Sequence, residues 1–189
     1  YDLEGKSLVL AFSRYPLGYV RITSTFAPNR YHPILQRRRP HNGTDFGAAA
    51  GTPVRATGAG TVSFAGVNGG YGNLIKIRHH DGYETRYAHL RSFASGVRAG
   101  TRVQQGDIIG YVGATGLATA PHLHYEFRRH DQPMDVRTVR LPGAPPIPSG
   151  KRGQYDALAT ARMALLDAGA QLNANGVLAV RDDQRPATP

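Results

Sequence analysis

The sequence predicts a mostly β protein: a small antiparallel sheet or sandwich with glycine-rich loops around a groove, followed by a short C-terminal helix. Three observations carry that expectation. The 189 residues include 23 Gly and 13 Pro, a composition that favours short strands and tight turns over long helices. From Val20 to Phe127, short stretches alternate apolar and polar side chains with the period of two of a half-buried strand. Helical spacing appears only after a proline-rich stretch near the C-terminus.

Residues 1–19 read as an N-terminal extension continuing from a longer protein, because neither an initiator Met nor a basic-then-apolar leader opens the chain. A β domain is expected over residues 20–140. In Val20-Arg21-Ile22-Thr23-Ser24-Thr25-Phe26, Val20, Ile22 and Phe26 would share one face. Arg37-Arg38-Arg39 reads as a solvated loop. Thr52-Pro53-Val54 and Thr61-Val62-Ser63-Phe64-Ala65 are short strands separated by Gly58 and Gly60. Two further strands, 74–78 and 84–88, flank Asp81-Gly82, which tolerates the positive φ of a tight hairpin turn. Residues 108–112 and 122–127 complete the set. Residues 141–150 hold four prolines and read as a linker. Beyond it, Tyr155, Leu158, Ala161 and Leu165 recur at helical spacing, with Gly169 as the expected stop and a flexible tail to residue 189.

Composition removes several function classes. There is no Cys, so disulfide scaffolds and thiolate metal sites are excluded. No apolar run approaches the eighteen or so residues of a membrane span. The net charge of +10 and pI near 10.3 point to an anionic partner or surroundings. Nucleic acid would rest on charge alone, without a recognition motif, and is not expected as partner. A lipoyl-type carrier would present its lysine on a turn, whereas Lys76 lies inside a strand.

Eight histidines are present, and some stand in patterned places. His41 and Asp45 are four apart among small residues, where Gly43 and Gly47 disfavour a helix. His122 and His124 sit two apart on a strand, so both point to one face. Such a set can assemble a zinc site with histidines left over for proton transfer. Spacing alone does not establish it, since histidine pairs on strands are common. Glu126 shares the face of His124, either as a partner for that ring or as a surface carboxylate. His79, His80 and His130 fall at strand or hairpin ends and are expected in solvent, while His32 has no derivable role.

The surrounding words sharpen the reading. His41-Asn42-Gly43-Thr44-Asp45-Phe46, Gly70-Tyr71-Gly72-Asn73, Tyr87-Ala88-His89-Leu90 and Pro121-His122-Leu123-His124-Tyr125-Glu126 stand in that order. Together they resemble the LytM/lysostaphin-type zinc metallopeptidases of peptidase family M23, over about residues 20–135. Arg21-Ile22-Thr23-Ser24 and His32-Pro33-Ile34-Leu35 are similar to the Gram-negative periplasmic murein endopeptidase branch. The resemblance implies His41, Asp45 and His124 as zinc ligands and His89 and His122 as catalytic histidines. Tyr71 and Asn73 would line the substrate groove. Ala120 stands where the family usually has Gly, which removes no ligand. His122 is expected as the base and His89 as the oxyanion donor, although residue order alone does not separate the two roles.

The implied activity is hydrolysis of peptidoglycan stem-peptide cross-links, of the D-Ala–meso-diaminopimelate type, with Zn²⁺ as cofactor. The implied location is the bacterial periplasm or cell envelope. An upstream segment that restrains the enzyme is an expected regulatory partner. The rival is a non-catalytic relative that binds peptidoglycan or activates another hydrolase; such a module would lack one or more of the five histidine and aspartate positions, and all five are present.

Overall fold

The computed structural model describes residues 2, 4, 5, 7, 10–32 and 37–182. It divides into two compact units, Leu10–Gly143 and a second made of the N-terminal residues with the chain from Ala144 onward. The first contains every residue that the resemblance implies as a metal ligand or catalyst. Its strands are β1 (Ile22–Ser24), β2 (Ala27–His32), β3 (Arg37–His41), β4 (Thr44–Gly47), β5 (Pro53–Arg55), β6 (Gly60–Val67), β7 (Asn73–Arg78), β8 (Tyr83–Phe93), β9 (Arg102–Val103), β10 (Ile108–Val112), β11 (His122–Arg129) and β12 (Gln132–Met134). One sheet runs in the order β1-β4-β11-β8-β7-β6-β9, with β10 bridging β5 and β8 and β12 closing onto β11; β2 and β3 form a separate hairpin. Every pairing among the described residues is antiparallel, as the predicted fold class requires.

The alternation of β11 builds both faces of the centre. Leu123, Tyr125 and Phe127 enter a core with Phe46, Val54, Ile75, Ile77, Tyr87, Leu90 and Ile109. Phe12 and Leu17, from the stretch expected as an extension, belong to that core too. Its buried hydroxyls are satisfied internally: Thr57 Oγ1 lies 3.0 Å from Tyr87 Oη and 2.9 Å from Tyr125 Oη, and Thr85 Oγ1 donates to Tyr87 Oη at 3.0 Å. The hairpin at residues 80–83 forms as expected, with Asp81 at φ 54° and Gly82 at φ 72°.

Several expectations need correction. The predicted strand over residues 20–26 is paired only at Ile22–Ser24, and Val20 and Ile22 are exposed at this edge of the sheet. Arg37-Arg38-Arg39 is not a loop but part of β3, paired with β2. Residues 33–36, within the His32-Pro33-Ile34-Leu35 segment, lie outside the described residues. In the second unit, the helix expected to be short spans Arg152–Asp182, 31 residues. Gly169 does not stop it: one glycine weakens a helix interior by only ~1 kcal/mol, and alanines flank it. Its apolar side chains Leu158, Leu165 and Leu166 are exposed, so the helical spacing marks the element without marking a buried face. No helix among the described residues is long and apolar enough to cross a membrane.

Candidate functional site

Ladder register builds the centre of the site. β4 pairs with β11 so that Asp45 lies directly opposite His124, and side chains on facing residues meet on one side of the sheet. His41 ends β3 just before the turn into β4. Gly43 makes room there: a Cβ at this position would overlap the Tyr125 carbonyl and crowd the His124 ring. The three donor atoms form a near-equilateral triangle. His41 Nε2 is 3.0 Å from Asp45 Oδ1, His124 Nδ1 is 2.8 Å from the same oxygen, and the two nitrogens are 3.1 Å apart.

The outer atoms of the two rings decide what points inward. His41 Nδ1 is 2.7 Å from the Thr25 carbonyl and donates to it. His124 Nε2 is 3.2 Å from Glu126 Oε1 and donates there. With those N–H groups turned outward, each neutral ring aims a lone pair at the Asp45 carboxylate. Three acceptors converging at this distance repel one another unless a cation lies among them. Tetrahedral coordination at metal–ligand distances of ~2.0–2.1 Å separates ligand atoms by about 3.3 Å, so a slight widening of the triangle accepts a divalent ion. His41, Asp45 and His124 thus fit a metal by both donor type and spacing. Burial disfavours the charged His124 ring, but its hydrogen bonds with Asp45 and Glu126 prevail and lift its pKa to about 9. Burial likewise opposes the Asp45 charge, and the His124 and His41 rings more than offset it, holding the carboxyl well below its usual range.

Glu126 is not the surface carboxylate that its place on a strand allowed. It is fully buried and accepts hydrogen bonds from Tyr71 Oη at 2.7 Å and Arg128 Nη1 at 2.7 Å, in addition to His124. Arg86 Nη1 lies 3.7 Å away. These partners overcome the burial penalty and hold its pKa at about 2. A carboxylate so fixed sets the tautomer and orientation of a ligand ring. Tyr71, expected in the groove, therefore makes its identifiable polar contact with the support of His124. Asn73 is also tied inward, its Nδ2 donating to the carbonyls of Leu90 at 2.9 Å and Arg91 at 3.2 Å.

The two remaining histidines lie beside the triangle. Their ring centroids are 4.7 Å apart, and His89 is 5.9 Å from the ring of His124. His122 reaches this face by simple alternation with His124. His89 does not. On β8, Glu84, Arg86 and Ala88 pair with Arg128, Glu126 and His124 and share their face, while Tyr87 faces the core with Tyr125. Unbroken alternation would send His89 to the core. Instead the β7–β8 register slips between Asn73 and Ile75, leaving Ala88 and His89 opposite Leu74 alone. At this bulge His89 has φ 60°, a left-handed conformation that costs a non-glycine residue about 1–2 kcal/mol. The next residue, Leu90, is then fully buried in the core. Bulges re-aim side chains in this way. His89 Nδ1 donates to the Thr115 carbonyl at 2.7 Å and His122 Nδ1 to the Ala120 carbonyl at 2.8 Å. Each neutral ring is left with a lone pair on Nε2. Burial is the main reason that the His89 pKa falls to about 4.

His79, expected in solvent, is half-buried, bonded at both nitrogens to Ala59 O and Thr85 Oγ1, each at 2.8 Å, and packed edge-on against Phe12.

A β domain with a His-Asp-His metal triangle and two further histidines beside it defines a metal-dependent hydrolase class. Comparison with known proteins narrows this. The model of peptidase family M23 matches residues 39–136, and the chain belongs to that family. It is 48% identical over 143 residues to the DD-carboxypeptidase/endopeptidase Mpg of Neisseria meningitidis, covering 75% of this chain and 32% of that protein. It is 41% identical to the peptidoglycan DD-endopeptidase ShyC of Vibrio cholerae, covering 91% of this chain and 39% of that one. Among solved structures, a zinc-containing peptidase from Vibrio cholerae is 44% identical with a TM-score of 0.67, covering 75% of this chain and 44% of that one. The catalytic domain of lysostaphin from Staphylococcus simulans is 32% identical with a TM-score of 0.54, covering 61% and 88%. The chain spans about a third of the length of the curated relatives it matches.

Proposed function

We propose that this chain is the catalytic part of a zinc-dependent endopeptidase that hydrolyses amide bonds in peptidoglycan stem-peptide cross-links and so remodels the bacterial wall. The observation that carries it is the triangle of His41, Asp45 and His124, whose lone pairs converge within 3.1 Å, with two more imidazoles against it. Relatives named as peptidoglycan DD-endopeptidases favour the D-Ala–meso-diaminopimelate bond as the one cut, and with it a periplasmic site of action. Residues 10–143 hold 17 Lys and Arg against 7 Asp and Glu, so the whole positive excess lies on the unit that would meet an anionic wall.

Bound zinc supplies Lewis-acid polarisation of the scissile carbonyl and acidifies a water molecule towards neutral pH. His41, Asp45 and His124 would hold the ion, with Glu126 and the Thr25 carbonyl keeping the two ligand rings turned towards it. His89 and His122 do the proton work. Each has its Nδ1–H committed to a backbone carbonyl, so each enters the reaction as an acceptor at Nε2. A ring that takes the proton of the attacking water becomes an imidazolium. It can then stabilise the developing oxyanion or return the proton to the leaving amine. The rival reading, a binding module without chemistry, has no need for two rings so oriented beside a metal triangle.

The test is digestion of purified sacculi by the zinc-loaded protein, followed by mass spectrometry of the released muropeptides. New D-Ala carboxyl ends paired with free diaminopimelate amines are expected. Intact cross-links after incubation with folded, zinc-loaded protein would sink the proposal.

A further inference from the structure

The left-handed conformation of His89 needs something to hold it, since such backbone outliers persist only where their surroundings over-determine them. Those surroundings are specific. Thr115 receives the His89 Nδ1–H on its carbonyl at 2.7 Å. Its hydroxyl donates to the Leu90 carbonyl at 2.8 Å and accepts the backbone N–H of Asn73 at 2.9 Å. Asn73 Nδ2 in turn donates to the carbonyls of Leu90 and Arg91. The two carbonyls that follow the bulge are therefore fastened by side chains from two separate segments. Gly72, at φ 63°, allows those segments to meet, because a Cβ there would overlap the Thr115 backbone and hydroxyl.

We propose that Thr115 and Asn73 form a clasp that holds the β8 bulge and fixes His89 with its proton on Nδ1 and its Nε2 lone pair in the groove. They are positioning residues: neither touches the metal triangle, and they act through His89. The assignment of Asn73 to substrate contact gives way to this role, which engages its side chain on the backbone behind the groove. The inference rests on His89 acting in the hydrolysis proposed above.

Thr115→Val keeps the branched shape and removes both hydroxyl bonds. Its kcat on a soluble cross-linked muropeptide should fall by roughly 10- to 100-fold, the scale of a small misplacement of a reacting group, with KM and zinc content unchanged. Thr115→Ser should restore most of the loss. The ring ¹⁵N spectrum should show one His89 tautomer in the native protein and a mixture in Thr115→Val. In a His89→Ala background, Thr115→Val should have no further effect, because the clasp then has nothing to position. Should Thr115→Val fail to fold, Asn73→Ala keeps the Thr115 hydroxyl and is expected to give the same signature. Native kcat with an unaltered His89 tautomer in the clasp variants, or an equal loss in both backgrounds, would overturn the inference. Full activity in His89→Ala would instead remove His89 from the chemistry, and the ring spectrum would still decide whether the clasp exists.

Discussion

β11 and β8 lie side by side and each delivers a histidine to the same groove, but by opposite means. β11 does so by regular alternation: His122, His124 and Glu126 share one face of the strand, and each ring position follows from a ladder of facing pairs. β8 breaks its alternation at Ala88–His89 and holds the break with side chains from elsewhere. Asp45 and His124, two of the three donors, face each other across an unbroken β4–β11 register. Of the two histidines outside the donor triangle, His122 shares the regular register of β11 and His89 stands on a strained bulge, where a small backbone adjustment moves its ring. The contrast predicts two separable kinds of damage, one seen in metal content and the other in turnover.

The largest effect should come from the regular side. Asp45→Ala deletes the anionic member of the triangle, so a dialysed protein that normally carries about one zinc per chain should lose it along with sacculus digestion. Elemental analysis beside a circular dichroism spectrum checks this, and a folded, active protein without metal would refute the ligand set. On the bulged side, His89→Ala should leave zinc near its native level while turnover falls by roughly two to four orders of magnitude. Loss of zinc from a folded His89→Ala protein would erase the distinction between the strands.

Returning to β11, Glu126→Leu removes the acceptor for His124 Nε2. It should weaken zinc binding by about 10- to 100-fold in a chelator competition, with Glu126→Gln intermediate because it keeps an oxygen there. The smallest effect concerns His79, outside the groove. Burial lowers its pKa in the folded state, so below the ordinary value of about 6.5 the unfolded chain binds more protons. The corresponding stability is complete above that pH and is lost as pH falls below it. In urea titrations from pH 7.5 downward, native protein should therefore lose stability more steeply than His79→Gln. Equal slopes would show that His79 contributes nothing to the acid sensitivity.

The same contrast explains what was legible in the residues. A period of two is local, so the shared face of His122 and His124 and the turn at Asp81-Gly82 could be read directly. Motif order then placed His41 and Asp45 in the site. The direction of His89 could not be read, since alternation aims it into the core and the bulge depends on which residues of β7 and β8 pair. Glu126 is equally non-local: its burial comes from Tyr71, Arg86 and Arg128 closing over it. Arg37-Arg38-Arg39 resembled a loop because three consecutive arginines carry no apolar alternation, and the pairing with β2 is non-local. The length of the helix escaped because Gly169 is a weak stop when good helix formers surround it.

The opposition of Asp45 and His124 across the β4–β11 ladder has one more consequence. Their spacing is set by the main-chain rungs of that ladder. Because side chains alternate with a period of two, a slip of one residue between β4 and β11 would turn one donor of the pair towards the core. An insertion or deletion in either strand should therefore dismantle the donor set even with every one of its residues kept.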